Sequence, residues 1–244
     1  MRKHLLTSAA VLALSAGAAF ASDLPTHKAP PPPPPPAPFS WTGFFVGVEG
    51  GFGWGEEHDN LSSAIPHAIA DSFSVSGPIG GIDAGYNQQF NSLVIGVVAD
   101  IEASDIHGGK SFSVTPCEGI CVGTLSMHNT WQSSLRARAG VAFDRLLIYG
   151  TGGLAIADDR ENAYADAIVS DVWSGSQTKT LYGWTIGAGA EYAISDHWTA
   201  SAELRYADFG DATYSITNQT TGASHNYKAG FDETLAQIGL SYKF

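Results

Sequence analysis

The most constraining feature of this chain is an alternation of apolar and polar residues with a period of two, which recurs from Ser40 to Phe244. Alternation of this kind predicts β-strands with one apolar face. Short and long connections separate the alternating segments in turn, so we predict eight strands joined by three short turns and four long loops. The predicted strands are 41–54, 77–89, 92–104, 129–143, 146–157, 181–193, 198–209 and a last strand that ends at 244, and the predicted long loops are roughly 55–76, 105–127, 158–178 and 210–230.

The asymmetry between short turns and long loops is typical of bacterial outer-membrane barrels. A secreted β-sandwich or a lipocalin-like barrel turns its apolar face inward instead, and alternation alone does not separate these alternatives. Aromatic residues near the predicted strand ends favour the membrane, because interfacial girdles lie there. These residues are Trp41, Trp54, Tyr86, Trp131, Tyr182, Trp198, Tyr206 and Tyr242. We therefore predict an all-β fold, an eight-stranded antiparallel transmembrane β-barrel with four long external loops.

The C-terminal strand carries a second sign of the membrane. Ile238, Leu240, Tyr242 and Phe244 place an apolar or aromatic side chain at every second position up to the last residue. An outer-membrane assembly signal has this form, whereas a soluble barrel has no need of it. The pattern predicts that the barrel-assembly machinery inserts the chain into outer-membrane lipid, with both termini on the periplasmic side.

The first 39 residues have a different character. Residues 1–21 combine a basic start, an apolar stretch and a small-x-small site before Ser22, which is the pattern of a cleaved signal peptide. Residues 22–39 contain a proline run that favours an extended polyproline II rod. We interpret this segment as a periplasmic spacer, or as a contact with peptidoglycan, and the barrel domain as residues 40–244.

Charge and hydropathy exclude two other classes of protein. The net charge of −12 disfavours nucleic acid as a partner, because its phosphates repel an acidic chain. Beyond the first two dozen residues no apolar run approaches the roughly 20 residues of a helical membrane span. A nucleic-acid-binding protein and a helical membrane protein are therefore not predicted.

The predicted inward face of the barrel collects acidic and basic side chains together. Because an eight-stranded barrel is just wide enough to be filled by side chains, we expect these groups to form hydrogen-bonded ion pairs. A narrow ion path is the alternative, and bidentate pairs would block it. The predicted network comprises Glu49, Asp83, Asp100, Glu102, Arg136, Arg138, Glu191, Glu203, Arg205 and Lys243.

Cys117 and Cys121 lie four residues apart in the second predicted loop. Export to an oxidising compartment favours a small disulfide that clips this loop. A metal site is the alternative, but it would need two further ligands. We predict the disulfide and no metal site.

The chain resembles the small outer-membrane β-barrel proteins of alphaproteobacteria, the RopB-type immunogenic and haemin-binding family related to opacity-type adhesins. The resemblance covers the predicted barrel and is carried by Trp41–Gly47, Gly85–Gln89, Leu135–Gly140, Phe143–Gly153, Gly183–Tyr192 and the closing strand. It implies residence in the outer membrane of a Gram-negative bacterium. It also implies roles that differ between members, namely envelope integrity, host interaction and haemin binding. If haemin is bound, the ligands to its iron would come from His58, His67, His107, His128 and His225.

The leading functional hypothesis is a structural, surface-exposed outer-membrane protein that supports the envelope and meets the environment or a host. A binding protein for haemin or a host surface is the second hypothesis, and a small diffusion pore is the third. No spacing in the sequence joins a nucleophile, a base and an orienting group, so we predict no enzymatic activity and no catalytic residue.

Overall fold

The chain folds into one antiparallel sheet that closes on itself. The computed structural model describes residues 38–59, 72–114, 121–167 and 171–244, and the compact unit is Pro38–Phe244. The signal peptide and most of the proline-rich segment therefore lie outside the described residues. None of the described residues forms a helix of the length and hydropathy needed to cross a bilayer. The strands are β1 (Gly43–Asp59), β2 (Phe73–Phe90), β3 (Leu93–Val114), β4 (Cys121–Phe143), β5 (Leu146–Ala167), β6 (Asp171–Ala193), β7 (Trp198–Asp208), β8 (Ala212–Asn218) and β9 (Ser224–Lys243).

Eight positions make up the ring. Each strand from β1 to β7 pairs with the next, β7 pairs with β9, and β9 pairs with β1. β8 pairs with a different part of β9 from β7, so β7 and β8 share one position in the ring. The interruption falls at 209–211, where Gly210 has a φ of 63°. The prediction of an eight-stranded antiparallel sheet is confirmed.

Three short connections lie at one end of the ring, which we call the short-turn end. Asn91 and Asp144 each lie in a two-residue turn and have positive φ values, 57° and 53°. Asn and Asp tolerate this left-handed conformation better than other residues with side chains. The third connection is 194–197, as predicted.

At the opposite end the strands run much further than the sequence predicted. β3 continues to Val114 and β4 already begins at Cys121, so most of the predicted loop 105–127 is strand. The reason is a change in the phase of the alternation. Ile101 is exposed on the outer face, whereas Ile106 is fully buried inside the ring. A continuous strand with this change loses its regular apolar period, and the predicted strand therefore ended at 104.

The change of phase divides the barrel into two regions. In the belt region, next to the short-turn end, large apolar side chains face outward. Examples are Phe44, Val46, Val48, Phe52 and Trp54 on β1, Ile95, Val97 and Ile101 on β3, and Leu146, Ile148 and Leu154 on β5. The sequence of β5 allows either Leu146 and Ile148 or Leu147 and Tyr149 to face the lipid; the structure places Leu147 and Tyr149 inside the barrel, where both are buried.

In the extension, beyond the belt, the two faces exchange their character. Outward side chains are mainly polar, such as Ser74, Ser76, His107, Thr124 and Asn162. Inward side chains form an apolar core, which includes Val75, Ile106, Leu125, Met127, Ile216, Tyr227, Phe231 and Leu235. This arrangement is that of a soluble barrel, so the extension suits water rather than lipid.

Trp41 closes the short-turn end from inside. It is 1% exposed, its Nε1 donates to the carbonyl oxygen of Asp144 at 3.1 Å, and its ring meets Phe39 at a centroid distance of 5.0 Å. The prediction that Trp41 starts the first strand and belongs to the outer aromatic girdle is wrong, because its indole fills the mouth of the barrel. The remaining tryptophans of the predicted girdle, Trp54, Trp131 and Trp198, do face outward.

Candidate functional site

The interior of the belt region holds ion pairs that join strands across the barrel. Arg136 on β4 contacts Asp100 on β3 at 2.9 Å and also Glu203 on β7. Arg205 on β7 contacts Glu102 at 2.5 Å and Asp100 at 3.5 Å, both on β3. Because β3 and β7 are not neighbours in the sheet, these pairs connect distant parts of the wall. The charges therefore act as a polar core at the level of the lipid-facing belt.

A second group of contacts lies nearer the short-turn end. Arg138 pairs with Glu191 on β6, and its guanidinium carbon lies 3.6 Å from the centre of the Tyr149 ring. The hydroxyl of Tyr149 donates to Glu203 at 3.0 Å. Gly189 makes room for this ring, since a Cβ there would come within 2.7 Å of the tyrosine. The ring thus links the two groups of ion pairs.

Three uncharged residues that were not predicted also belong to this network. Gln132 donates to Glu102 at 3.2 Å, Gln237 donates to the same carboxylate, and Ser134 donates to Asp100. The alternation along β4 predicts that Gln132 and Ser134 face inward, because they alternate with outward residues. The sequence does not show, however, that these uncharged side chains donate hydrogen bonds to the carboxylates of the network.

Glu49, Asp83 and Lys243 lie at the margins of the network. Glu49 and Asp83 line a cavity of about 40 Å³, which has room for a few water molecules. The Nζ of Lys243 donates to the carbonyl oxygen of Thr42 at 3.3 Å and lies 5.2 Å from the ring of Phe39. Lys243 therefore sits at the short-turn end, and no described carboxylate pairs with it.

The histidines of the haemin hypothesis are spread over several strands. His107 and His128 face each other across β3 and β4 with ring centroids 6.0 Å apart, and His128 Nε2 lies 3.0 Å from Asp105. His58 lies 2.7 Å from Asp232. His225 packs 5.3 Å from the ring of Trp173, and His67 lies outside the described residues.

Two further predicted features concern cysteines and the C-terminus. Cys117 lies outside the described residues, so the pairing with Cys121 stays a prediction. Along β9, Ile238 and Leu240 face outward and are exposed. Tyr242 packs at 5.2 Å from both Trp198 and Phe244, and the exposed Phe244 ends this outward row of side chains.

The extension contains an acidic cluster, formed by Glu57 on β1 and by Asp159 and Glu161 on β5. Burial, reinforced by Asp159, raises the pKa of Glu161 from 4.5 to about 9. Burial also raises the pKa of Asp159 from 3.8 to about 6, against the hydrogen bond that it accepts from Tyr214. The pKa of Glu57 is raised well above 4.5 by burial and then by its two neighbours. The cluster was not predicted, because all three residues lie in segments that the sequence predicted to be loops.

Comparison with known proteins gives relatives along the whole chain. A family model described as the outer membrane protein beta-barrel domain matches residues 7–244. The 31 kDa outer-membrane immunogenic protein of Brucella melitensis biotype 1 is 34% identical over 97% of this chain and 98% of that protein. The 22 kDa outer membrane protein of Rhizobium leguminosarum bv. viciae is 28% identical over 84% of this chain and 79% of that protein.

Two solved structures share the fold. The outer membrane protein OprG from Pseudomonas aeruginosa superposes with a TM-score of 0.50 at 16% identity, over 84% of this chain and 98% of that one. The outer membrane protease OmpT from Escherichia coli superposes with a TM-score of 0.52 at 9% identity, over 86% of this chain and 99% of that one. At these identities the likeness extends to the fold alone.

Proposed function

The chain belongs to the family of outer-membrane proteins with a β-barrel domain, and from this premise we propose that it is a sealed structural barrel that strengthens the envelope. It is a surface-exposed outer-membrane protein, and relatives of it are named outer-membrane immunogenic proteins. With both termini in the periplasm, as the sequence predicts, the extension would stand on the outer surface and present its polar face to the environment or a host.

The observation that carries this proposal is the filled interior of the belt region. Arg136, Arg138 and Arg205 are each buried and each held by carboxylates from other strands. Moving a solute past them would break these pairs in a low-dielectric interior, which costs several kcal/mol. Trp41 adds a second obstruction at the short-turn end. Both features support a scaffold over a diffusion pore.

The same interior supports a role without catalysis. The buried arginines of the belt region are held in ion pairs with carboxylates of other strands. The cavity of about 40 Å³ beside them is too small for an organic substrate. The relatives with significant sequence identity are named for their location and immunogenicity. The protease OmpT shares the fold alone, and a fold does not imply an activity.

The proposal is tested by two measurements on one pair of strains. Wild-type protein reconstituted in a planar bilayer should give no stepwise conductance. A deletion strain should become more sensitive to detergent, and the wild-type gene should restore its resistance. Regular channel openings in the pure protein, or unchanged detergent resistance in the deletion strain, would contradict the proposal.

Haemin binding is the alternative that the resemblance implied, and His107 and His128 are the pair that the fold brings together. A titration of the folded protein with haemin would give a shifted Soret band if these rings ligate the iron. Loss of that shift in His107→Ala and His128→Ala would identify the site. An unshifted spectrum leaves the structural role as the function.

A further inference from the structure

The acidic cluster of the extension joins opposite sides of the barrel. Glu57 projects inward from β1, whereas Asp159 and Glu161 project inward from β5, four strands away around the ring. One carboxylate oxygen from each residue lies within 4.8 Å of the other two. All three side chains are buried, with exposures of 2% or less. Such convergence across a barrel requires something that offsets the repulsion between the charges.

None of the described residues supplies that compensation. None of the ion pairs between described residues reaches these three carboxylates. Outside the cluster, no described donor reaches either oxygen of Glu57, Oε1 of Glu161 or Oδ1 of Asp159. Within it, Glu57 and Glu161 can share a hydrogen bond when one of them is protonated. The hydroxyl of Tyr214 donates to the other oxygen of Asp159 at 2.6 Å. A fully buried carboxylate without a donor is costly, and Glu57 points directly at two more acids.

The belt region shows what a compensated group of carboxylates looks like in this protein. There, Asp100 and Glu102 face the guanidinium groups of Arg136 and Arg205 and also accept hydrogen bonds from Ser134, Gln132 and Gln237. The interior of the extension is apolar around its acids instead. Because no described residue supplies the missing positive charge, protons or a cation from solution must supply it.

We propose that Glu57, Asp159 and Glu161 form a calcium-binding site inside the extension. Calcium takes six to eight oxygen ligands at about 2.3–2.6 Å, so two ligand oxygens on opposite sides of the ion lie roughly 4.8 Å apart. The three carboxylates already converge within that distance and can together offer six oxygens. Their hard oxygen donors favour calcium over zinc, which prefers nitrogen and sulfur ligands. Magnesium is disfavoured because it retains several waters and strict octahedral geometry.

The ion would tie β1 to β5 above the level of the lipid. Strands in the belt region are held by lipid and by buried ion pairs, whereas the extension is held by its apolar core, its ladder of backbone hydrogen bonds and side-chain hydrogen bonds such as that from Tyr214 to Asp159. Calcium bound between opposite walls would stabilise the extension by RT ln(1 + [Ca²⁺]/Kd), so the stabilisation grows with the calcium concentration. An outer-surface barrel would then be more rigid in a medium that contains calcium.

The test uses the mature protein folded in detergent micelles, after treatment with EDTA. Calcium binding is measured by calorimetry, and terbium luminescence, excited through the nearby Tyr214, reports the location of the site. We expect one calcium per chain and a weaker response to magnesium. Glu57→Gln and Glu161→Gln should each reduce calcium affinity by more than about ten-fold, because each removes a charged ligand. The matched control is Glu56→Gln, since Glu56 lies next to Glu57 but is exposed on the outer face; it should bind calcium as the wild type does.

A second readout guards against variants that fail to fold. Without calcium, Glu57→Gln should be at least as resistant to heat as the wild type, because the amide removes one of the clashing charges. Calcium should raise the melting temperature of the wild type and of Glu56→Gln but leave that of Glu57→Gln unchanged. If the wild type binds no calcium at millimolar concentration, or if its stability responds to pH alone, protons rather than calcium hold the cluster and the proposal is wrong.

Discussion

The belt region and the extension use one continuous ring of strands in opposite ways. In the belt region the apolar residues face lipid and the charges fill the interior, whereas in the extension the apolar residues fill the interior and the polar ones face out. A single strand contributes to both regions: on β3, Ile101 faces outward in the belt region and Ile106 faces inward in the extension. The surroundings of each region, lipid or water, therefore decide which face of a strand is apolar, and the backbone does not.

The two interiors also differ in how they treat charge. The acids inside the belt region lie opposite arginines on other strands, whereas those in the extension lie opposite one another. Removing one partner of a buried ion pair is strongly destabilising, because the other charge is left buried without compensation. An acidic cluster in an apolar core depends on protons or a cation from solution. The stability of the belt region should therefore depend on its arginines, whereas that of the extension should depend on pH and on cations in solution.

The largest expected effect is the loss of a buried arginine in the belt region. Arg136→Ala leaves Asp100 and Glu203 without their shared partner and should lower the free energy of unfolding by about 3–5 kcal/mol. Urea unfolding from lipid vesicles, followed by tryptophan fluorescence, measures this change. The variant should remain non-conducting, because Arg138 and Trp41 still obstruct the interior. A new large conductance with unchanged stability would refute this view of the interior.

A matched pair of isoleucines compares the two regions directly. Ile106→Ala should cost about 2–5 kcal/mol, because it removes apolar contact and leaves a cavity in the core of the extension. Ile101→Ala should cost only about 1–2 kcal/mol, because acyl chains fill the space beside an outward residue. Urea unfolding from vesicles gives both values. Hydrogen exchange should place the loss for Ile106→Ala in the extension, and equal losses at the two sites would contradict the division into regions.

A smaller effect should appear when pH is varied in EDTA. The folded-state pKa of Glu161, about 9, lies above its unfolded value near 4.5, so the folded protein binds the extra proton between these values. Stability should therefore fall as pH rises from about 5 to about 9, and the fall should be weaker in Glu161→Gln. Thermal melting at a series of pH values tests this. Stability that rises over the same interval would show that the cluster does not dominate the response of the extension.

The smallest effect is expected at the short-turn end. Arg145 and Asp196 are 2.9 Å apart, but both are solvent-exposed, so Arg145→Ala should change stability by about 1 kcal/mol or less. It serves as the exposed control for Arg136→Ala. Urea unfolding under the same conditions gives the comparison, and a cost equal to that of Arg136→Ala would mean that burial does not set the strength of these pairs.

The sequence predicted most reliably where alternation is strongest. The strands of the belt region were identified because Phe44, Val46 and Val48 alternate with small or charged residues. The short turns were identified as the gaps 90–91, 144–145 and 194–197 between the predicted strands. The strand segments of the extension were missed because apolar residues change parity there. Trp41 was misplaced because a tryptophan near a strand end suits both an outer girdle and an inner plug.

The sequence by itself determined the class of fold, the order of strands, the location in the outer membrane and the parity of the inward charges in the belt region. These follow from local periodicity and from the aromatic residues near the strand ends. Tertiary structure alone decided which charges meet, how far the barrel extends beyond the lipid, and that Glu57 and Glu161 share one site. The physical reason is that closing the sheet brings β1 and β5 face to face, and no periodicity along the chain records which residues stand opposite across a ring.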